Sequence, residues 1–359
     1  MNMENSDFLR LIDSKRWKII QDYFAKVLGA GIRVVDPDGG PLTDLSNPHP
    51  YCVETIFSCP KAFPVCNQCL ILSPQPSAKD SLVHKKDRFL DDPDNIYYDI
   101  CSYLMNRVII PLKTKDDAVK AYIIIGPVIL SKRRTYPEYF NLSKSLGVNI
   151  NELIDCVEQV KVFSFEAMTN ITKLYQEIAN FMLDAGIEKQ KRRAELNKPD
   201  FDTHNMADMP FYIIKMLQAL FETAVQGIDA ERASLMLYDK DISTLTIAIS
   251  KGIPNTIVKD TIVEKGEGIA GWAAKSGDVI FIDDNFNQPR LLSRLHQPQI
   301  KASLTVPLKS ADRVFGVLNL STKEEKHRFS PENINSIIQL AKMVDSALVN
   351  IDLDNLSNL

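Results

Sequence analysis

Apolar residues recur at helical spacing near the start of the chain. Between residues 7 and 28 the apolar positions are Phe8, Leu11, Ile12, Trp17, Ile20, Tyr23, Phe24, Val27 and Leu28. Steps of three and four residues place such side chains on one face of an amphipathic helix. Two β-rich runs follow, separated by Asp36-Pro37-Asp38-Gly39-Gly40. These turn-forming residues predict a hairpin.

Two further strand-like runs predict a second hairpin. They span residues 106–112 and 119–130 and are joined by a polar turn. The segment between the two hairpins contains cysteines and prolines and has no regular pattern, so we expect it to shape a pocket. Helix, hairpin, irregular segment and hairpin together predict an α+β domain with an antiparallel sheet.

The second half of the chain repeats this kind of alternation. A helix is predicted over residues 210–226, followed by strands over 232–239 and 244–250. A glycine-punctuated turn, a short helix and a strand follow within 264–284, and a further hairpin covers 301–322. A closing helix is predicted from about residue 331 to residue 351. This half is therefore a second α+β domain with its own antiparallel sheet.

A continuous helix over residues 151–184 is predicted to join the domains. Its apolar seam consists of Met168, Ile171, Tyr175, Ile178 and Met182, and the closing helix repeats the pattern at Ile337, Ala341, Val344, Leu348 and Ile351. Such seams favour a parallel homodimer, but helices packed on their own sheets give the same periodicity. Gly186 and the charged stretch 188–202 indicate a solvated linker.

Composition excludes several classes of partner. A chain of 359 residues suits about two domains. The net charge of −4 provides no broad basic field, so nucleic acid is not an expected partner. The start of the chain lacks a secretory signal, and the longest apolar runs fall short of the roughly 20 residues of a membrane span. We expect a cytoplasmic protein without a membrane partner, whose thiols are kept reduced.

Cysteines form the densest chemical signal. The first half contains Cys52, Cys59, Cys66, Cys69 and Cys101, and Cys66 and Cys69 have the C-x2-C spacing that lets two thiolates reach one metal. Four of these thiols, or three with His84 or His49, could hold zinc, and four could hold an iron–sulfur cluster. A redox-active thiol pair and plain core packing remain alternatives.

Several motifs resemble known sensory families. The second half resembles a GAF domain at residues 266–273, Asp283-Asp284, Ala302-Ser303-Leu304-Thr305-Val306-Pro307-Leu308, residues 313–320 and Phe329-Ser330-Pro331-Glu332. The first half resembles a PocR-type, PAS-like sensory domain at residues 34–39, at the cysteines, at residues 108–112 and at residues 123–128. The resemblance implies a PocR-like domain over 6–184, a linker over 185–208 and a GAF domain over 209–351.

The candidate ligand-binding residues fall into two groups. In the first domain they lie in the irregular segment and are Tyr51, Cys52, Tyr98 and Cys101, because aromatic and thiol linings suit small, weakly polar ligands. The GAF resemblance implies a second group, namely Leu235, Leu237, Trp272, Ser303 and Thr305. Core packing is an alternative for both tyrosines and for Trp272.

No motif indicates an enzyme. The chain lacks a P-loop, a nucleophile elbow and an H-E-x-x-H helix, and its five histidines are scattered. The PocR-type family is proposed to bind simple organic molecules, so we expect a signal-transduction sensor that relays the bound state through a helix to the GAF domain and a separate output protein. The alternatives are a cysteine-metal redox sensor and a dimerisation adaptor that binds no ligand.

Overall fold

The chain folds into two compact units, residues 1–202 and 203–359, each built on one sheet. The computed structural model describes residues 7–37, 39–56, 58–60, 96–114, 119–195, 209–239, 243–283, 300–323 and 329–349. The predicted α+β class, with one antiparallel sheet per domain and flanking helices, is confirmed. Within these ranges no helix has the length and apolar character needed to cross a membrane.

The first unit combines a curved sheet with helices before and after it. Its elements are α1 (Asp7–Leu11), α2 (Ser14–Leu28), β1 (Gly31–Val35), a π-helical segment (Tyr51–Ile56), β2 (Tyr97–Ile100), β3 (Asn106–Lys113), β4 (Val119–Leu130), α3 (Tyr136–Leu146), α4 (Ile150–Glu158), β5 (Val162–Phe163) and α5 (Phe165–Glu195). The strand order is β1-β4-β3-β2 with antiparallel pairing, and β5 pairs in parallel with β4. The predicted strands over 106–112 and 119–130 correspond to β3 and β4.

A buried amide ties helix α2 to the first strand. The Gln21 side chain is fully buried, and its Nε2 donates to the carbonyl oxygens of Ile32 at 3.1 Å and Asp44 at 2.8 Å. Its Oε1 accepts a hydrogen bond from Trp17 Nε1 at 3.0 Å. Because every polar atom of this amide is paired, its burial carries no desolvation penalty for an unmade hydrogen bond.

Only part of the predicted first hairpin is present. The turn forms, with the Gly40 N–H donating to Asp36 Oδ1 at 2.7 Å. The returning arm makes only isolated bridges, Val35 to Pro41 and Ile32 to Ser46, because Pro41 has no N–H to continue a ladder. Strand β1 instead pairs along its length with β4.

The prediction of one continuous helix over residues 151–184 is wrong. The segment is two helices, α4 and α5, separated by β5, which pairs Val162 with Ile129 and Phe163 with Leu130. This pairing depends on a strand more than thirty residues away, so local periodicity does not reveal it. Helix α5 also continues to Glu195, through the start of the predicted linker.

Both apolar seams are buried within their own units. Four of the five seam residues on α5 are buried, and Tyr175 stacks on Phe24 of α2 with ring centroids 3.8 Å apart. The closing helix buries Ile337, Ala341, Val344 and Leu348, and it packs on the sheet of its own unit. Packing within each unit therefore accounts for the periodicity that favoured a homodimer.

The second unit is a six-stranded antiparallel sheet. Its elements are α6 (Met209–Gly227), β6 (Arg232–Tyr238), β7 (Thr244–Lys251), α7 (Asn255–Asp260), β8 (Ile262–Glu264), α8 (Gly268–Ser276), β9 (Ile280–Ile282), β10 (Ala302–Ser310), β11 (Arg313–Thr322) and α9 (Pro331–Leu348). The strand order is β8-β7-β6-β11-β10-β9. Helices α6 and α9 cover one face, and α8 packs on the other.

Gly186 lies inside α5, and we predict that Gly186→Ala destabilises the first unit by about 1–3 kcal/mol, the usual cost of overpacking. Alanine normally stabilises a helix relative to glycine by about 1 kcal/mol. Here an added Cβ would lie 1.7 Å from the carbonyl oxygen of Leu11 in α1, which is backbone and cannot turn aside.

Urea unfolding followed by Trp17 fluorescence, in a Trp272→Phe background, measures this effect because each unit contains one of the two tryptophans. Gly227→Ala in the second unit is the matched control, followed by Trp272 fluorescence in a Trp17→Phe background, since its Cβ meets Ile337 at an ordinary 3.5 Å. A Gly186→Ala chain as stable as its parent would contradict the close packing of α1 on α5.

Candidate functional site

A cavity of about 490 Å³ lies in the first unit, beside the ends of its central strands. Its walls come from β2 and the turn after it, the start of β3, the end of β4 with the following loop, and the first residues of α3 and α5. The apolar wall consists of Tyr98, Ile100, Leu104, Ile129, Leu130 and Phe165. Volume and lining are in the range of sites that enclose small organic ligands.

The polar wall is concentrated in one loop. It consists of Asn106, residues 131–135, Glu138 and Tyr139. Hydrogen bonds to α4 and the segment after it fix the loop, because Arg133 Nη2 donates to the carbonyl oxygens of Glu158 and Val160, both at 2.9 Å. The Ser131 N–H donates to the Phe163 carbonyl at 2.8 Å. The polar wall therefore has a defined position relative to β5.

The apolar wall includes the beginning of the long helix. Phe165 is the first residue of α5, and its ring lies 4.8 Å from the ring of Tyr98 on β2. The Tyr98 hydroxyl is hydrogen bonded to Thr169 Oγ1, one turn further along α5, at 3.1 Å. A molecule in the cavity would therefore contact Phe165, which belongs to α5, and Tyr98, which is hydrogen bonded to α5.

Of the four ligand residues predicted in this unit, only Tyr98 lines the cavity. Tyr51 is fully buried, and its hydroxyl donates to the Tyr103 carbonyl within the core. Cys52 and Cys101 are half-buried and pack against the same apolar cluster as Tyr51. Tyr51 is therefore a core residue, as the alternative of core packing proposed for this tyrosine has it.

The structure places three candidate metal ligands around one cluster. Cys59 is buried in it and Cys52 and Cys101 pack against it, while Cys66 and Cys69 lie outside the described residues. The Cys59 thiol donates to the Leu146 carbonyl, with a sulfur–oxygen distance of 3.1 Å. No three His, Cys, Asp or Glu side chains form a metal-binding group in the described part of the chain. A site with four ligands would therefore need at least two of Cys66, Cys69 and His84, which lie outside the described residues.

His49 is committed to the fold and does not fit a ligand role. Its Nδ1 accepts a hydrogen bond from the Tyr51 N–H at 3.1 Å. Burial lowers the pKa of His49, and a hydrogen bond to the backbone of Gln159 opposes part of that shift. The other proposed histidine, His84, lies outside the described residues.

The predicted residues of the second unit lie on two faces of the sheet. Leu235 pairs with Leu318, and alternation along the strands directs both away from the face covered by α8, where Met236 and Val317 pack. Leu235 is fully buried and Leu237 is 8% exposed. Both leucines thus belong to the face covered by helices α6 and α9, and they do not meet Ser303 and Thr305.

A row of polar side chains crosses the opposite face. Thr305 Oγ1 donates to Asn319 Oδ1 at 3.0 Å, and Asn319 Nδ2 donates to Ser234 Oγ at 3.2 Å. These three residues are cross-strand neighbours on β10, β11 and β6. Ser303 lies next to them in register, and Trp272 is 37% exposed on α8. The row gives this face hydrogen-bonding groups directed away from the core of α6 and α9.

Several site residues were not predicted from the sequence. In the second unit these are Ser234 and Asn319, and in the first they are all the lining residues except Tyr98, namely Ile100, Leu104, Asn106, residues 129–135, Glu138, Tyr139 and Phe165. The run Lys132-Arg133-Arg134 directly after an apolar strand was a visible signal for the loop. Asn319, a polar residue inside the apolar run of β11, was a visible signal for the polar row.

Comparison with family models identifies both units. The model of the sensory domain found in PocR matches residues 10–187, and the GAF domain model matches residues 213–348. The chain contains a PocR sensory domain followed by a GAF domain. This is the domain organisation of a signalling sensor, and it confirms both resemblances seen in the sequence. No curated protein matches the chain.

Solved structures match the chain at low identity and low TM-score. The GAF domain of an Acinetobacter phosphoenolpyruvate-protein phosphotransferase is 16% identical, with a TM-score of 0.35, and covers 53% of this chain and 100% of its own. A free methionine-R-sulfoxide reductase from Neisseria meningitidis, solved with its substrate, is 17% identical, with a TM-score of 0.35, and covers 52% and 92%. A Staphylococcus aureus NreA mutated in its nitrate binding site is 22% identical, with a TM-score of 0.28, and covers 33% and 90%. TM-scores this low say nothing of ligand or partner.

Proposed function

We propose that the chain is a signal-transduction sensor whose PocR domain binds a small organic molecule in the 490 Å³ cavity. The bound state passes along α5 towards the GAF domain and a separate output protein. The role is one of binding, without catalysis. The observation that carries the proposal is the position of Phe165 and Tyr98, which join the cavity wall to the first turns of α5.

The physical requirement for such a sensor is differential binding. A ligand shifts α5 only if it binds one arrangement of the helix more tightly than another, and couplings of this kind are typically about 1–3 kcal/mol. Moving the ring of Phe165 or breaking the Tyr98–Thr169 hydrogen bond changes the free energy of the domain by an amount of this order, because a single hydrogen bond contributes about 0.5–1.5 kcal/mol. Contacts at the start of α5 are therefore large enough to provide the coupling.

The proposal predicts that filling the cavity abolishes ligand binding. Thermal unfolding of the full chain is followed in the presence of a panel of small carboxylic acids, amides, alcohols and ketones. A true ligand at a hundredfold excess over its dissociation constant adds about 2.7 kcal/mol of stability. We expect Ile100→Trp, which places an indole in the cavity, to abolish the rise in melting temperature.

Ile19→Trp is the matched control, because Ile19 is 49% exposed on α2 of the same domain. A ligand of the cavity stabilises the Ile19→Trp chain as it does the wild type. If no compound stabilises the wild type, or if stabilisation survives Ile100→Trp, the cavity is not the sensory site.

A second candidate function is a cysteine-metal sensor. It is supported by the C-x2-C spacing of Cys66 and Cys69 and by the packing of Cys52, Cys59 and Cys101 in or against one apolar cluster. Two of the three clustered thiols and the C-x2-C pair would complete the four ligands of a zinc or iron–sulfur site.

This second candidate predicts about one zinc or one cluster per chain after purification without oxygen, measured by elemental analysis and absorption spectroscopy. Cys101→Ser and Cys66→Ser are expected to lose the metal. Cys156→Ser is the matched control, because Cys156 packs against the same apolar cluster but is not among the candidate ligands. A colourless, metal-free wild type would rule the metal site out.

A further inference from the structure

The polar wall of the cavity is strongly cationic. Lys132, Arg133 and Arg134 all line it, and Glu138 is its one acidic residue among those the structure describes. Arg133 uses one nitrogen of its guanidinium on backbone carbonyls of α4 and the segment after it. Lys132 and Arg134 are exposed and line the cavity, so their charges add to that of Arg133 at this wall.

Glu138 compensates only one of these three positive charges, and the helix cap fixes its position. Its Oε2 accepts hydrogen bonds from the Thr135 N–H at 2.8 Å and the Thr135 hydroxyl at 2.7 Å, forming the capping box of α3. These hydrogen bonds lower the pKa of Glu138. Arg134 Nη1 lies 3.9 Å from the other oxygen, which is too long for a hydrogen bond. Its guanidinium donors therefore remain available to a ligand.

A buried hydroxyl stands at the same part of the wall. Tyr139 is only 2% exposed and lines the cavity, and its phenol hydrogen has no acceptor among the residues that the structure describes. Burial raises the pKa of Tyr139, and a hydrogen bond from the backbone N–H of Arg134 and the charges of Arg133 and Arg134 oppose part of the rise. Arg134 and Tyr139 both line the cavity. A buried donor without a partner is a cost that a ligand oxygen can remove.

We propose that the cavity binds a small organic acid, with its apolar body against Tyr98 and Phe165 and its carboxylate facing Arg134 and Tyr139. The inference rests on the proposed function of the PocR domain as a small-molecule sensor, and it names the class of ligand. A carboxylate accepts both a charge-assisted hydrogen bond from the guanidinium and the phenol hydrogen, so one group satisfies both donors. The aromatic rings at the opposite wall favour an aromatic or branched body.

The test compares benzoate with benzamide, which has nearly the same shape and no charge. Isothermal titration of the full chain is expected to show benzoate binding at least about tenfold more tightly, the effect of roughly one charge-assisted hydrogen bond. Arg134→Gln is expected to remove most of this preference. Lys15→Gln, an exposed cation on α2 of the same domain, is the matched control and should leave it unchanged.

Tyr139→Phe provides a second test, whose expected result a folding defect would not produce. Because the phenol hydrogen has no acceptor among the described residues, removal of the hydroxyl is expected to leave the melting temperature of the ligand-free chain close to that of the wild type. The same change is expected to weaken benzoate severalfold and to leave benzamide less affected.

Each outcome separates the two proposals. Equal binding of benzoate and benzamide, with both abolished by Ile100→Trp, overturns the organic acid and leaves the sensor intact. The organic acid is also overturned, and the sensor left intact, if a compound of the wider panel binds in the cavity and benzoate does not. If no compound binds in a way that Ile100→Trp abolishes, the sensory cavity and its ligand class both fail.

Discussion

The stacked rings of Tyr175 and Phe24 fix the long helix α5 to the core of the PocR domain. Their centroids are 3.8 Å apart, and Trp17 also stacks on Tyr175, with centroids 5.8 Å apart. Aromatic pairs contribute about 0.5–1.5 kcal/mol beyond the burial of their surface. Because Tyr175 is fully buried, the middle of α5 cannot move without opening the core. A ligand effect on this helix therefore starts near its ends and passes along it only as a shift of α5 together with the core residues packed on it.

The cavity lies at the end where such an effect is possible. Phe165 begins α5 at the cavity wall, and the Tyr98–Thr169 hydrogen bond ties the following turn to the sheet. The strand β5 and the loop 131–135 are joined to each other by the Ser131 hydrogen bond. The loop 131–135, strand β5 and the first turns of α5 thus form one connected region. On the proposed function, this connected region is where a bound ligand acts on α5.

The sequence predicted the elements whose signals are local. Strands β3, β4, β10 and β11 are apolar runs next to turn residues, and both domain types were recognisable from short motifs. The break between α4 and α5 was missed because it is made by pairing Val162 and Phe163 with a distant strand. Gly186 was interpreted as a linker residue, yet it lies within a helix where only glycine lets α1 approach so closely.

The candidate site was less predictable than the fold. Its walls combine residues near positions 100, 130, 139 and 165, and only the folded sheet brings these together. Of the four residues predicted to line a pocket in this domain, Tyr98 does so and Tyr51 is a core residue with an internal hydrogen bond. In the GAF domain, strand alternation separates Leu235 and Leu237 from the polar residues Ser303 and Thr305. Composition cannot reveal such a division, because it depends on the register of neighbouring strands.

The most direct test of the account is hydrogen–deuterium exchange of the full chain with and without a ligand whose binding Ile100→Trp abolishes. The account predicts that the ligand slows exchange in the first turns of α5, around residues 165–172, as well as in the loop 131–135. It also predicts that Tyr98→Phe, which removes the hydroxyl bonded to Thr169, retains protection of the loop and loses most of the protection of α5. Protection of the loop without any change in α5 of the wild type would show that the cavity binds its ligand without passing the signal to the helix.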